Sequence, residues 1–316
     1  MNPSIPVDSG KTIPIKSRQA RKWKENVTAY LFIAPLLSIF AVFILYSLYF
    51  LIHTSFQNTD ISFGKATDAG TNNYRLVLED SHFYFSVLNN LIFSAGNIFI
   101  SITIGFIVTV FLSLKFRGSR FFHALFFIPA MLPGALIATV FSMILEYRFG
   151  AWNEFLRALG LDFLAKQWLS DPHLAYMSVI VIGVYLIGFP MMYYSADLTT
   201  VNTSVLEAAV LDGAGLNRIM WNIVFPLLKN AHKTIIISTL LSSFREFERI
   251  YLMTGGGPAQ STEISSIYLF NYFRGAGANI GYVSAASTLL LIIALAISFI
   301  QLRMYVKGKK ERKSAA

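Results

Sequence analysis

The chain has 316 residues, 55% of them hydrophobic and only 14% charged. Soluble domains carry about 25% charged residues, so this composition excludes a soluble protein and indicates a membrane one. Cysteine is absent, which removes disulfides, thiol nucleophiles and Cys-based metal sites, and the net charge of +9 follows from basic residues at the ends of apolar spans rather than from nucleic-acid binding.

Residues 1–27 are polar and basic, with Lys11, Lys16, Arg18, Arg21, Lys22 and Lys24 and no hydrophobic period. They are predicted to be a disordered cytoplasmic tail. The apolar run over residues 28–53 exceeds the hydrophobic region of a cleaved signal peptide and is read as a retained helix. Further apolar runs follow at 87–114, 121–145, 174–194, 234–253 and 283–304, each near the roughly 20 residues that cross hydrocarbon. The prediction is an all-α membrane protein with six transmembrane helices over residues 28–305 and a short basic tail at 306–316.

Basic residues crowd one side of this arrangement: both termini, with Arg303, Lys307, Lys309, Lys310, Arg312 and Lys313 closing the chain, and Lys115, Arg117, Arg120, Arg218, Lys229 and Lys233 between spans. The other side holds Lys65, Arg75, Arg148, Arg157, Lys166 and Arg274. The positive-inside rule therefore puts both termini and the 195–233 loop in the cytoplasm. Pro129, Pro133 and Gly134 in the third span and Gly188 and Pro190 in the fourth predict kinks or opened turns.

The polar 195–233 loop contains a helix-forming island. Ser204-x-x-Glu207 has capping-box spacing, Gly213 and Gly215 can end the helix in left-handed conformations, and Pro226 limits a second short helix from about Leu216. Leu206, Ala209, Val210 and Gly213 share one face, small enough for a partner to approach closely. These spacings alone fit a docking element and an amphipathic helix lying on the bilayer equally well.

Phe244-Arg245-Glu246-Phe247-Glu248-Arg249-Ile250 places charge inside the fifth span. Arg245 falls roughly 16 Å from the start of that span, near the midplane of a core about 30 Å thick, so it should face protein or water. On a continuous helix Arg245/Glu248 and Glu246/Arg249 are i,i+3 pairs and Arg245/Arg249 share a face. Two readings stand: a self-neutralising quartet, or a wet cavity in which guanidinium groups grip an anion. Gly255-Gly256-Gly257-Pro258 is not a phosphate loop, His53, His82, His123, His173 and His232 lack metal-ligand spacing, and acid–base pairs are otherwise missing from the spans, so an enzyme is disfavoured.

Glu207-Ala208-Ala209-x3-Gly213-x9-Ile223-x-Phe225-Pro226 resembles the EAA loop of permease subunits in bacterial binding-protein-dependent ABC importers, and Asp212-Gly213-Ala214 fits the sugar-transport branch. Phe126-Phe127-Ile128-Pro129-x3-Pro133, Phe149-Gly150-x2-Asn153, Gly188-Phe189-Pro190-Met191 and Tyr251 through Glu263 extend the resemblance over residues 28–305, most like the maltose- and glycerol-phosphate-type permeases. It implies a type I ABC importer permease architecture in the inner membrane. Glu207, Ala208, Ala209, Asp212, Gly213, Ala214 and Gly215 would form a coupling helix in the 200–230 loop, docked on a separate ATPase dimer. ATP and Mg would be used there, with no cofactor on this chain. A second permease, expected to be a different chain, and a solute-binding protein complete the implied assembly. Carried over by position, Gly188, Met191, Phe244, Arg245 and Glu246 would line the substrate path, joined in the charged cluster by Glu248 and Arg249.

The sequence departs from relatives in having Phe225 where Leu is usual, and Arg245 and Glu246 where neutral-sugar permeases carry uncharged polar residues. The second departure implies a charged cargo: a uronate oligosaccharide such as an alginate fragment, or a sugar phosphate. The alternative of another class is an ion-coupled secondary transporter using Arg245, Glu246, Glu248 and Arg249 as a relay. Such a carrier would have no use for a docking stretch.

Overall fold

The computed structural model describes residues 15–62, 64, 66–114, 116–275 and 278–314. The chain divides into two compact units, residues 1–54 and 55–316. The first unit is helical: α1 (Ile15–Phe40) leads through a π turn at Ala41–Leu45 into α2 (Tyr46–Ser55). α1 therefore begins inside the tail predicted to be disordered, while residues 1–14 of that tail lie outside the described residues. Residues Asn26–Ser55 have a mean hydropathy of 2.5, apolar and long enough to cross a bilayer.

The second unit opens with a two-stranded antiparallel ladder, β1 (Gln57–Asn58) against β2 (Thr67–Asp68), then α3 (Asn72–Glu79). The Asp80 carboxylate accepts the His82 amide at 2.8 Å and starts α4 (Ser81–Ser113), whose 33 residues span about 50 Å. α4 is the axis of this unit, packing on α8 (Pro172–Val181), α9 (Gly188–Leu198), α13 (Lys229–Arg245) and α15 (Ser265–Arg274). Its inward face is polar and small: Ser86, Asn90, Ser94, Asn97, Ser101 and Thr109 are all buried. In lipid, association rests on close packing and interhelical hydrogen bonds rather than on burial of apolar area. Gly96 meets Ile180 so closely that a Cβ would sit 2.8 Å from it, and Gly105 meets Pro190 at the same distance. Asn90 ties three elements together, donating to the Ser243 carbonyl at 3.1 Å and accepting the Ser265 amide at 3.3 Å.

The kinks predicted from proline and glycine are present. α5 (Ser119–Phe127) and a 3-10 turn at Ile128–Met131 meet α6 (Gly134–Ile144) at 101°, because Leu132 and Pro133 are extended. α8, its 3-10 continuation Ile182–Leu186 and α9 bend by 44° ahead of Pro190. α7 (Ala151–Ala158) lies between the third and fourth apolar runs.

The fifth apolar run departs from expectation. α13 ends at Arg245, Glu246 (ψ 133°) and Phe247 (φ −146°) leave helical conformation, and α14 (Glu248–Thr254) starts afresh. Among the described residues three helices are long and apolar enough to cross a membrane, or up to five if each bent pair counts as one. The broken α13–α14 segment is not among them. The last helix, which extends from Ile280 to Ser314, runs through most of the predicted 306–316 tail.

Candidate functional site

A cavity of about 360 Å³ lies among α4, the α8–α9 bend and α13, reaching the break before α14. Asn97 and Ser101 enter from α4, Tyr193 from α9, and Ser238, Thr239 and Ser242 from α13. Glu246 and Arg249, on either side of the break, are its charged residues. The mixture of hydroxyls, an amide and an aromatic ring suits a polyhydroxylated ligand, and its size is at the lower end for ligand sites, about 300–1,000 Å³.

Arg249 dominates the electrostatics because it is only 5% exposed. Its Nη2 donates to Glu246 Oε2 at 3.0 Å, and its guanidinium carbon lies 5.0 Å from the centre of the Phe93 ring. Nε and Nη1 have no partner among the described residues. A buried guanidinium with two unmatched nitrogens is costly unless another acceptor completes it. Gly183 makes room for this corner, since a Cβ there would approach Asn97 Oδ1 to 2.3 Å and Arg249 Nη1 to 3.7 Å.

The predicted charge quartet does not form. The break turns Arg245 outward, where it is exposed, and Glu248 Oε2 instead accepts the Ala135 amide at the start of α6, 3.2 Å away. Only Glu246/Arg249 pairs, because the break keeps those two within reach while separating the others.

Of the residues predicted to bind cargo, Glu246 and Arg249 line the cavity; Gly188, Met191, Phe244, Arg245 and Glu248 do not. Met191 is fully buried in the apolar core formed by α4, α6, α8, α9 and α14. Gly188 packs against the α5 end, where a Cβ would meet Ala130 at 2.9 Å and the Phe126 carbonyl at 3.0 Å. Sequence reasoning missed Asn97, Ser101, Ser238, Thr239 and Ser242. Their signal was available: Ser238, Ser242 and Glu246 recur every four residues in an apolar run, as do Asn97 and Ser101.

In the 195–233 loop, α10 (Thr203–Leu211) is capped by Asn202, whose Oδ1 accepts both the Ser204 amide at 3.0 Å and its hydroxyl at 2.9 Å. The predicted Ser204/Glu207 capping box is thereby replaced, leaving Glu207 exposed. Gly213 ends the helix at φ +77°, but Gly215 is extended, with φ −69° and ψ 160°. α11 (Leu216–Ile219) runs through a π turn at Met220–Val224 into α12 (Phe225–Leu227), so Pro226 does not end the second helix. The break comes at Leu228. Nor is the apolar side one face. Ala209 is buried and Leu206 packs on a core of Phe106, Val110, Tyr194 and Met220, whereas Val210 and Leu211 are 60% and 88% exposed. Ala208, Asp212 and Gly213 are exposed beside them, and Ala214 is half-buried.

At the opposite end of α4, Asp80 Oδ2 accepts the hydroxyls of Tyr268, Tyr282 and Tyr272 at 2.7, 2.8 and 3.0 Å. Burial resists ionisation of Asp80, but these bonds and the His82 amide outweigh it and hold the carboxyl below its usual value.

Residues 101–308 match the family described as binding-protein-dependent transport system inner membrane component. A probable ABC transporter permease protein of Bacillus subtilis, YurN, is 32% identical over 91% of this chain and 99% of its own. The multiple sugar-binding transport system permease protein MsmF of Streptococcus mutans is 28% identical over 75% of this chain and 81% of its own. In fold, the chain resembles one from the crystal structure of a bacterial ABC transporter involved in the import of the acidic polysaccharide alginate. That match has a TM-score of 0.75 at 18% identity, covering 92% of this chain and 99% of the other. This chain belongs to the family of binding-protein-dependent transport system inner membrane components.

Proposed function

We propose that this permease subunit serves an ATP-driven importer that moves an acidic oligosaccharide across the bacterial cytoplasmic membrane by alternating access. The observation that carries the acidic cargo is Arg249: buried, lining the cavity, and short of acceptors for two nitrogens. The hydroxyl-rich remainder of the lining and the sugar-transport names of relatives support a carbohydrate.

In this reading Glu207, Ala208, Ala209, Asp212, Gly213, Ala214 and Gly215 dock on an ATPase dimer, which uses ATP and Mg. A second permease of different sequence completes the membrane path, a solute-binding protein delivers cargo at the other face, and both termini are cytoplasmic. Closing the ATPase dimer moves the docked segment and biases the path between inward- and outward-open states.

Uptake of a uronate disaccharide into vesicles containing the assembled transporter tests the cargo. Arg249→Gln should cut uptake by about tenfold or more, the scale of one lost charge-assisted bond, while ATP hydrolysis without cargo persists. Arg245→Gln, at an exposed position, should have a much smaller effect. Unchanged uptake kinetics in Arg249→Gln would falsify the acidic-cargo reading.

A further inference from the structure

The cavity's charge is balanced before any cargo enters. Glu246 and Arg249 are its carboxylate and its guanidinium, 3.0 Å apart, with side-chain exposures of 21% and 6%. Glu246 occupies Nη2, leaving Nε and Nη1 without a partner. Near Nη1, Gly183 opens a corner against Asn97, whose amide nitrogen is committed to the Phe93 carbonyl at 2.8 Å and whose Oδ1 therefore faces the gap as an acceptor.

We infer that this corner is a subsite for a single carboxylate, and that Glu246 is the residue that excludes a phosphate. The inference rests on the acidic-cargo reading and narrows it. One carboxylate completes the guanidinium and brings the site to a net single negative charge. A phosphate monoester carries about −1.5 to −2 at neutral pH, and its second charge meets the Glu246 carboxylate in a poorly solvated space where repulsion is weakly screened. The neighbouring groups favour a uronate for a second reason. Asn97 Oδ1 and the hydroxyls of Ser101 and Ser242 can accept from ring hydroxyls next to a carboxylate, whereas an ionised phosphate offers them no donor. Glu246 thus acts by repulsion, rejecting a competitor rather than tightening the preferred ligand.

Equilibrium dialysis of the intact transporter, without its solute-binding protein, against labelled uronate, neutral and phosphorylated disaccharides tests this. The wild type should bind the uronate best and the phosphorylated sugar at least about tenfold more weakly. Glu246→Gln should collapse that difference mainly by improving phosphate binding, while Glu246→Asp retains it. A measurement free of substitutions reads the same effect: as pH falls through about 6 and phosphate becomes a monoanion, its binding to the wild type should approach that of the uronate. Equal wild-type binding of neutral and uronate sugars would remove the acidic-cargo reading itself. A uronate preference with a phosphate ratio insensitive to both Glu246→Gln and pH would remove only the role of Glu246.

Discussion

Asp80 shows how one carboxylate organises the end of the molecule away from α10. Three tyrosine hydroxyls converge on one of its oxygens, joining the start of α4 to α15 and to the last helix. Because the folded carboxyl is held below its ordinary value of 3.8, its contribution to stability is complete above that value and is lost as pH falls through the folded one. Thermal melting of the assembled transporter should therefore be insensitive to this group above about pH 5 and weaken in acid, and Asp80→Asn should remove part of that acid slope. Parallel slopes for the two proteins would exclude the assignment. The cavity's charged pair was half legible in the sequence for a different reason. Charge inside an apolar run marked the neighbourhood, but choosing between Arg245 and Arg249 required knowing where the helix stops. Residues 244–249 contain neither proline nor glycine, so nothing local announces the break.

At the scale of elements, legibility followed backbone chemistry. Pro129, Pro133 and Gly134 forecast the α5–α6 corner, and Gly213 forecast the end of α10, because missing donors and positive φ leave few alternatives. The cap of α10 was misread since Asn202 competes for the same amide that Ser204 and Glu207 would have organised. α10 also has two apolar sides that periodicity merged into one. Leu206 and Ala209 belong to the permease's own packing, and Val210 and Leu211 remain for a partner. Leu211→Glu should accordingly abolish co-purification with the ATPase while leaving the melting temperature of the isolated permease pair unchanged. Leu206→Ala should do the reverse, lowering stability by about 1 kcal/mol or more. If Leu211→Glu still assembles and couples normally, the exposed side of α10 is not the docking side.

For the molecule as a whole, hydropathy located the helical segments but not their continuity. Several predicted spans are bent or broken, and the cavity sits where those interruptions meet α4. The absence of cysteine makes its exposure measurable with a single introduced thiol. In Ser242→Cys, a membrane-impermeant maleimide should react from one side of the vesicle without nucleotide and lose that access when ATP is bound with hydrolysis blocked. Reactivity indifferent to nucleotide would exclude alternating access through this cavity. The interruptions flanking α13 have a mechanical consequence as well. With Leu228 breaking the helix at one end and Glu246–Phe247 at the other, its 17 residues form a stiff rod of about 26 Å with a pivot at each tip. One tip adjoins the docking loop; the other carries Glu246, whose partner Arg249 sits beyond the pivot on α14. A lever so mounted turns a push at the docking loop into a change in the gap between those two charges, so the stroke that drives transport should also loosen or tighten the grip on the cargo.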